Sequence, residues 1–256
     1  MTDLSINLNK IALIRNSRIT EYPSVVRHAQ MCIAAGADGI TVHPRPDQRH
    51  IRAQDCYDLH DKINVELNIE GNPFAGPMKS ERADVSDYPG FMALVRDIKP
   101  AQCTLVPDSN EQLTSDHGFD LRQDTTELAS IIVELKALGV RVSLFMDADP
   151  SQMSLAKKLG ADRVELYTES YADAVLCGED ITDQLEKFRD TALAAQQEGL
   201  GVNAGHDLNL NNLAAFTQTV PELLEVSIGH AFTVDSIELG LAKAVAEYQR
   251  CLGKNP

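Results

Sequence analysis

Basic residues are scarce in this chain. Its 256 residues hold 23 Lys and Arg against 38 Asp and Glu, a formal net charge of −15. A nucleic-acid surface needs clustered cations against the phosphate backbone, so a general nucleic-acid partner is excluded. A local cluster for one small phosphorylated ligand is not. The five cysteines, Cys32, Cys56, Cys103, Cys177 and Cys251, form no CxxC pair and match no zinc spacing, which argues for reduced thiols. His-x-His and His-Glu-x-x-His are both missing. No apolar stretch approaches the ~18 residues of a membrane span. No basic region followed by an apolar run opens the chain. A cytoplasmic protein without a membrane partner is expected. No linker-like composition shift divides the chain, so one domain over residues 1–256 is expected.

What is present is an unusual alternation. In Val65-Glu66-Leu67-Asn68-Ile69-Glu70 every second residue is polar. Ser5, Asn7 and Asn9 alternate with Leu4, Ile6 and Leu8; Thr41 and His43 with Ile40 and Val42; Glu165 and Tyr167 with Val164 and Leu166. Such alternation suits a half-exposed antiparallel sheet. Helical patterns between the strand candidates argue instead for parallel strands. A closed barrel reconciles the two: one parity packs on outer helices and the other lines a polar lumen.

Eight strands are predicted, at 4–9, 39–43, 65–70, 102–107, 141–147, 163–168, 201–206 and 224–230. Leu128, Ile131, Ile132, Leu135 and Leu138 mark a helix over 124–138, and Ile237, Leu241, Val245, Tyr248 and Leu252 mark one last helix. Gly36, Gly139, Gly160 and Gly199 each end a helical pattern shortly before a strand. The repeat predicts an α/β fold, a (β/α)8 TIM barrel with extra helical segments. A doubly wound sheet is the structural alternative, but the first predicted strand lacks the glycine-rich turn it would carry. The segment 71–90, with three Gly and three Pro, reads equally as a surface insertion or as a lid over the site.

Active sites of such barrels lie at the C-terminal strand ends. Those ends offer Asn7 and Asn9, then Lys10, Arg15 and Arg18; His43, then Arg45, Arg49 and His50; Glu70; Asp147 and Asp149; Glu165 and Tyr167; His206; and Gly229-His230. Four of the seven histidines fall here. His28, His60 and His117 read as solvated or satisfied side chains. The cations following His43 suggest an anion site. Glu66, Asn68 and Glu70 on one inward face would be costly without water or ligand, and crowded carboxylates hold their protons longer, as suits a general base. Asp149-Pro150 also fits a helix cap. Gly205-His206-Asp207 and Gly229-His230 read as tight turns before helices, suited to a second anion. His43, Glu70, Asp147, Glu165 and His206 include metal-ligand types, but nearby arginines oppose a dication. No metal and no cofactor are expected.

Residues 7–18 (NLNKIALIRNSR) and 36–50 (GADGITVHPRPDQRH), with 142–149 (VSLFMDAD), 202–206 (VNAGH) and 228–231 (IGHA), resemble the pyridoxine 5'-phosphate synthase family along almost the whole chain. The resemblance implies a TIM barrel that assembles as a homo-oligomer, an octamer. The implied reaction joins 1-deoxy-D-xylulose 5-phosphate to 3-amino-2-oxopropyl phosphate, releasing pyridoxine 5'-phosphate, phosphate and water without a cofactor. It implies His43 and Glu70 as proton acceptors, His206 as proton donor and Glu165 as transition-state stabiliser. It implies Asn7, Arg18, Asp207, Gly229 and His230 on the amino-ketone phosphate, and Asn9, Lys10, Arg45, His50 and Thr114 on the deoxyxylulose phosphate. Four positions depart from the family pattern: Asn9-Lys10 stands for Asp-His, Tyr167 for His, and Asp207 for Gly. The segment 71–90 is longer than the pattern. Two other readings stay open: a metal-dependent sugar-phosphate aldolase or isomerase on the same barrel, and a non-catalytic phosphometabolite-binding paralog.

Overall fold

The computed structural model describes residues 1–255. Eight parallel strands close in sequence order: β1 (Asp3–Asn7), β2 (Gly39–Val42), β3 (Glu66–Gly71), β4 (Gln102–Leu105), β5 (Arg141–Met146), β6 (Arg163–Tyr167), β7 (Gly201–Gly205) and β8 (Leu223–Ile228). Asp3 to Ile6 of β1 pair with Glu225 to Ile228 of β8, which closes the barrel. All eight predicted strands are found, most with shorter ends.

Eleven α-helices surround it among the described residues: α1 (Asn9–Asn16), α2 (Val25–Ala34), α3 (Ala53–Lys62), α4 (Phe91–Ile98), α5 (Thr126–Ala137), α6 (Met153–Leu159), α7 (Glu169–Cys177), α8 (Thr182–Gln197), α9 (Leu213–Thr219), α10 (His230–Leu239) and α11 (Leu241–Cys251). The helices beyond one per strand are α1, α7 and α10. The single last helix expected from the apolar stripe is two. Gly240, at φ +86°, breaks it, and Ile237 is exposed on α10 rather than packed. A left-handed backbone is open to glycine without a Cβ clash, so the stripe continues in sequence while the helix does not.

The outward parity is apolar. Leu4, Ile6, Ile40, Val42, Ile69, Leu105, Val142, Leu144, Val164, Leu166, Val226 and Ile228 are fully buried against the helices. Each such side chain contributes about 1.5–3 kcal/mol of hydrophobic stabilisation. The inward parity is polar and hydrogen-bonded across strands. Ser5 and Thr41 hydroxyls lie 2.7 Å apart, Thr104 donates to Asn68 or Glu165 at 3.2 Å, and Arg163 donates to Asn203 at 3.2 Å. Buried polar groups are tolerated where they are paired in this way.

The expected stack of Glu66, Asn68 and Glu70 is divided between the barrel ends. Glu66 is exposed at the N-terminal end and ion-paired with Arg141, Asn68 bonds within the lumen, and only Glu70 is buried at the C-terminal mouth. β3 therefore does not present a stack of carboxylates to the lumen. No helix among the described residues is long and apolar enough to cross a membrane.

Candidate active site

The inward strand ends meet in a cavity of about 370 Å³ at the C-terminal mouth. His43, Glu70, Glu165 and His206 all line it, with Asn7, Asn9, Lys10, Arg45, His50, Thr114, Asp207, Gly229 and His230. Asn9 was expected inside a strand over 4–9. The chain instead turns at Leu8 (φ −94°, ψ 8°), so Asn9 and Lys10 reach the mouth from the first turn of α1. This change of direction lets three side chains be tied together. Asn7 Oδ1 accepts the Asn9 N–H (3.0 Å), Asn9 Oδ1 accepts the His43 N–H (2.9 Å), and Asn7 Nδ2 donates to Glu70 Oε2 (3.2 Å).

Burial governs the protonation of this group. It pushes the Glu70 carboxyl well above the usual carboxylate range, helped by the negative charges of Glu165, Asp108 and Glu225. Burial likewise pushes Glu165 up to about 8, with Glu225 adding to the effect. His43 is driven the other way, down to about 3, first by burial and then by the Arg45, His206 and Arg49 charges. Burial also lowers His50, whose Nδ1 accepts the Ile51 N–H at 2.9 Å. The mouth thus sets a neutral imidazole beside a carboxyl that holds its proton: His43 Nδ1 lies 3.9 Å from Glu70 Oε2.

Glu70 and Glu165 titrate as an interacting pair, because charge on one holds the proton on the other. Glu165→Gln removes that repulsion. The acid limb of the activity profile should therefore move to lower pH, whatever happens to its height. A rate–pH series on both proteins measures the limb, and a shift to higher pH contradicts the pairing.

One side of the mouth is cationic, but its arginines are engaged. Arg45 donates to Asp108 Oδ2 at 2.5 Å and to the Gln112 carbonyl at 2.6 Å; Arg49 donates to the carbonyls of Gln112 (3.0 Å) and Asn110 (2.8 Å). Asp108 also accepts from Ser115 Oγ at 2.9 Å and stands 3.8 Å from His43 Nε2. Asp108 is not among the candidates named from the sequence. It lies just beyond β4, where the strand-end rule that selected the other candidates would also have found it.

The segment between β4 and α5 supplies Val106, Leu113, Thr114 and Ser115 to the cavity wall. The segment 71–90 supplies none. It is anchored by the Met78–Tyr88 backbone pair, by Gln48 Nε2 to the Ser86 carbonyl (2.6 Å) and by Arg82 to the Asn16 carbonyl (3.2 Å).

The two Gly-His turns differ. After β8 the chain enters α10 at once, so the helix N-terminus points its free N–H groups towards the mouth. After β7 no helix follows until α9 at Leu213, so the expected strand–Gly-His–helix turn occurs once. Space explains both glycines as well as any ligand does. A Cβ at Gly229 would lie 3.1 Å from Asn7 Cβ, and one at Gly205 only 2.7 Å from Glu165 Oε1 and 2.8 Å from the Ser227 carbonyl.

Several strand-end candidates do not join the cavity. Arg18 lies exposed on the turn after α1. Arg15 is buried away from solvent against Asp55. Asp149 caps the short 3-10 turn at Pro150–Gln152 by accepting from the Ser151 N–H (3.0 Å), and Asp147 accepts from the Gly118 N–H (3.2 Å). His60 and His117 are exposed and His28 half-buried. The described residues contain no cluster of three or more His, Cys, Asp or Glu arranged to hold a metal ion.

A closed parallel barrel with buried acid–base groups and cationic walls at its C-terminal mouth defines a TIM-barrel enzyme. Two distant solved structures share the fold: a chain of tryptophan synthase from M. tuberculosis (TM-score 0.62, 11% identity, 98% of this chain and 92% of that one) and N-(5'-phosphoribosyl)anthranilate isomerase from Pyrococcus furiosus (0.53, 14%, 99% of each). Closer likeness is by sequence. The model of the family described as pyridoxal phosphate biosynthesis protein PdxJ matches residues 4–254. The pyridoxine 5'-phosphate synthase of Xanthomonas axonopodis pv. citri is 53% identical over 250 residues, covering 96% of this chain and 95% of that protein. That of Albidiferax ferrireducens is 52% identical over 258 residues, covering 99% and 98%. The chain belongs to the pyridoxine 5'-phosphate synthase family.

Proposed function

We propose that this enzyme joins 1-deoxy-D-xylulose 5-phosphate to 3-amino-2-oxopropyl phosphate and closes the pyridine ring of pyridoxine 5'-phosphate, releasing phosphate and water. The observation that carries this reading is the meeting of His43, Glu70, Glu165 and His206 in one cavity whose wall also holds Lys10, Arg45, Arg49 and the N-terminus of α10. Ring closure needs an amine–carbonyl condensation, dehydration and loss of phosphate. Protons must move in both directions at one place. His43 is neutral near pH 7, so its ring offers a lone pair to a proton, as a weaker base than a free imidazole. Glu70, once ionised, is a stronger base than an ordinary carboxylate. His206 donates to departing oxygen. Glu165 retains its proton up to about pH 8, so it offers a hydrogen-bond donor to developing negative charge.

The substrates are both phosphorylated, and the mouth has two anion-binding sides. The α10 N-terminus with Gly229, His230 and Asn7 takes the amino-ketone phosphate. Lys10, Asn9, Arg45, His50 and Thr114 take the deoxyxylulose phosphate, which replaces the carbonyl contacts of the arginine side. Arg18, which the resemblance puts on the amino-ketone phosphate, is exposed outside this cavity. Binding both substrates side by side supplies the proximity that an intermolecular condensation lacks. The chain assembles as a homo-oligomer, an octamer, as the family resemblance implies.

The test is purified protein, both substrates, no added metal, and detection of pyridoxine 5'-phosphate. Metal-dependent cleavage or isomerisation of a sugar phosphate without pyridoxine 5'-phosphate favours a metal-dependent aldolase or isomerase, and binding without turnover favours a non-catalytic paralog. Arg45→Ala should raise KM for the deoxyxylulose phosphate about 10–100-fold, the value of one charge-assisted hydrogen bond, and leave that for the amino ketone nearly unchanged. Equal changes in both contradict separate sites.

A further inference from the structure

We infer that the Asp207 carboxylate is the positioning group of His206, fixing its ring orientation and the nitrogen that carries the proton. The inference deepens the reading of His206 as proton donor and rests on it.

Asp207 Oδ2 lies 2.7 Å from His206 Nδ1. An ionised carboxylate only accepts hydrogen bonds, so Nδ1 is the donor. The opposite nitrogen, Nε2, lies 2.7 Å from Thr114 Oγ1 on the cavity wall. The ring thus has the Asp207 carboxylate on one side and the cavity wall at Thr114 on the other.

The backbone supports this placement. His206 has φ +85°, a region that L-residues rarely occupy. Such a conformation costs of order 1–3 kcal/mol and persists where its surroundings over-determine it. Here they do. The His206 N–H donates to the Ser227 carbonyl (3.3 Å), the Asp207 N–H meets Thr168 Oγ1 (3.4 Å), and the Asp207 carbonyl accepts from Asn212 Nδ2 (3.3 Å). The Tyr167 ring meets the imidazole edge-on at 5.4 Å. The Asp207 N–H is therefore engaged with Thr168, and its carboxylate is turned to His206.

The proton balance gives the carboxylate its use. As donor, the ring starts with protons on both nitrogens. The Nε2 proton passes to the departing oxygen, and the electrons of the N–H bond stay on Nε2 as a lone pair. The neutral ring keeps its Nδ1–H against Asp207, so Nε2 faces the cavity ready to take the next proton from water. Without Asp207 the neutral ring is free to hold its proton on Nε2, in the wrong place for that return.

Asp207→Ala should lower kcat roughly 10–100-fold, part of the 10²–10⁴-fold a positioned acid supplies, with KM for both substrates within about twofold. Asp207→Asn keeps an acceptor oxygen and should recover part of the loss. Nitrogen-15 NMR of histidine-labelled protein reads the tautomer directly. The neutral His206 ring should be protonated on Nδ1 in the parent and shift towards Nε2 in Asp207→Ala. A raised KM with unchanged kcat would make Asp207 a substrate contact and overturn the inference. So would an unchanged tautomer. If the parent makes no pyridoxine 5'-phosphate, the functional reading fails, while the tautomer still decides whether Asp207 orients the ring.

Discussion

Glu70→Gln should lower kcat by about 10²–10⁴-fold, the range for loss of a general base, while KM for both substrates changes little. The substitution is nearly isosteric. It keeps an oxygen to accept from Asn7 Nδ2, the one hydrogen bond to the Glu70 side chain among the described residues. It removes only the capacity to take a proton. Because burial penalises the ionised form of Glu70, the neutral amide should fold at least as stably as the parent. Steady-state kinetics beside a thermal melt separates the two effects. Near-parental kcat in the folded variant refutes the catalytic role and leaves a buried carboxyl with a structural one.

Arg15→Met should cost about 3–5 kcal/mol of stability, the usual consequence of stripping one partner from a buried ion pair. Arg15 is 1% exposed and donates to Asp55 Oδ1 (2.5 Å), Asp55 Oδ2 (2.9 Å) and the His50 carbonyl (3.0 Å). Asp55 also accepts the Arg52 N–H (2.7 Å) at the start of α3. Its charge would remain behind without a cation. Against a typical total of ~5–15 kcal/mol, this is a large fraction. Urea titration measures it, and replacing Asp55 by Leu as well should recover much of the loss. A loss below about 1 kcal/mol would show that the pair is wet and replaceable. The same clamp fastens α1 to the loop carrying His50, so the surviving folded fraction should also bind the deoxyxylulose phosphate less well.

The barrel was legible because its two parities differ in chemistry. Leu67 and Ile69 against Asn68 and Glu70 mark a strand with two unlike sides, and Gly36, Gly139, Gly160 and Gly199 all take positive φ where the sequence ends its helices. The gathering of His43, Glu70, Glu165 and His206 in one cavity was legible for the same reason: each stands on or just past the inward side of a strand. Other features were hidden by long-range pairing. Arg15 reads as one of the strand-end cations because nothing near it in sequence shows Asp55 forty residues away. Glu66 reads as a lumen carboxylate until Arg141, on another strand, neutralises it. In both cases the partner is distant in sequence, and the pairing, not the residue type, sets where the side chain sits.

The polar lumen makes folding a proton-consuming event. The buried carboxyls of Glu165 and Glu225 lose their protons only near pH 8 and pH 7, against 4.5 when free in solution. Between pH 4.5 and those values the native chain holds protons that the unfolded chain has released. Their contribution is fully present below pH 4.5 and fades as pH rises through 7 and 8. Mild acid thus tightens this barrel, and alkali loosens it from the inside.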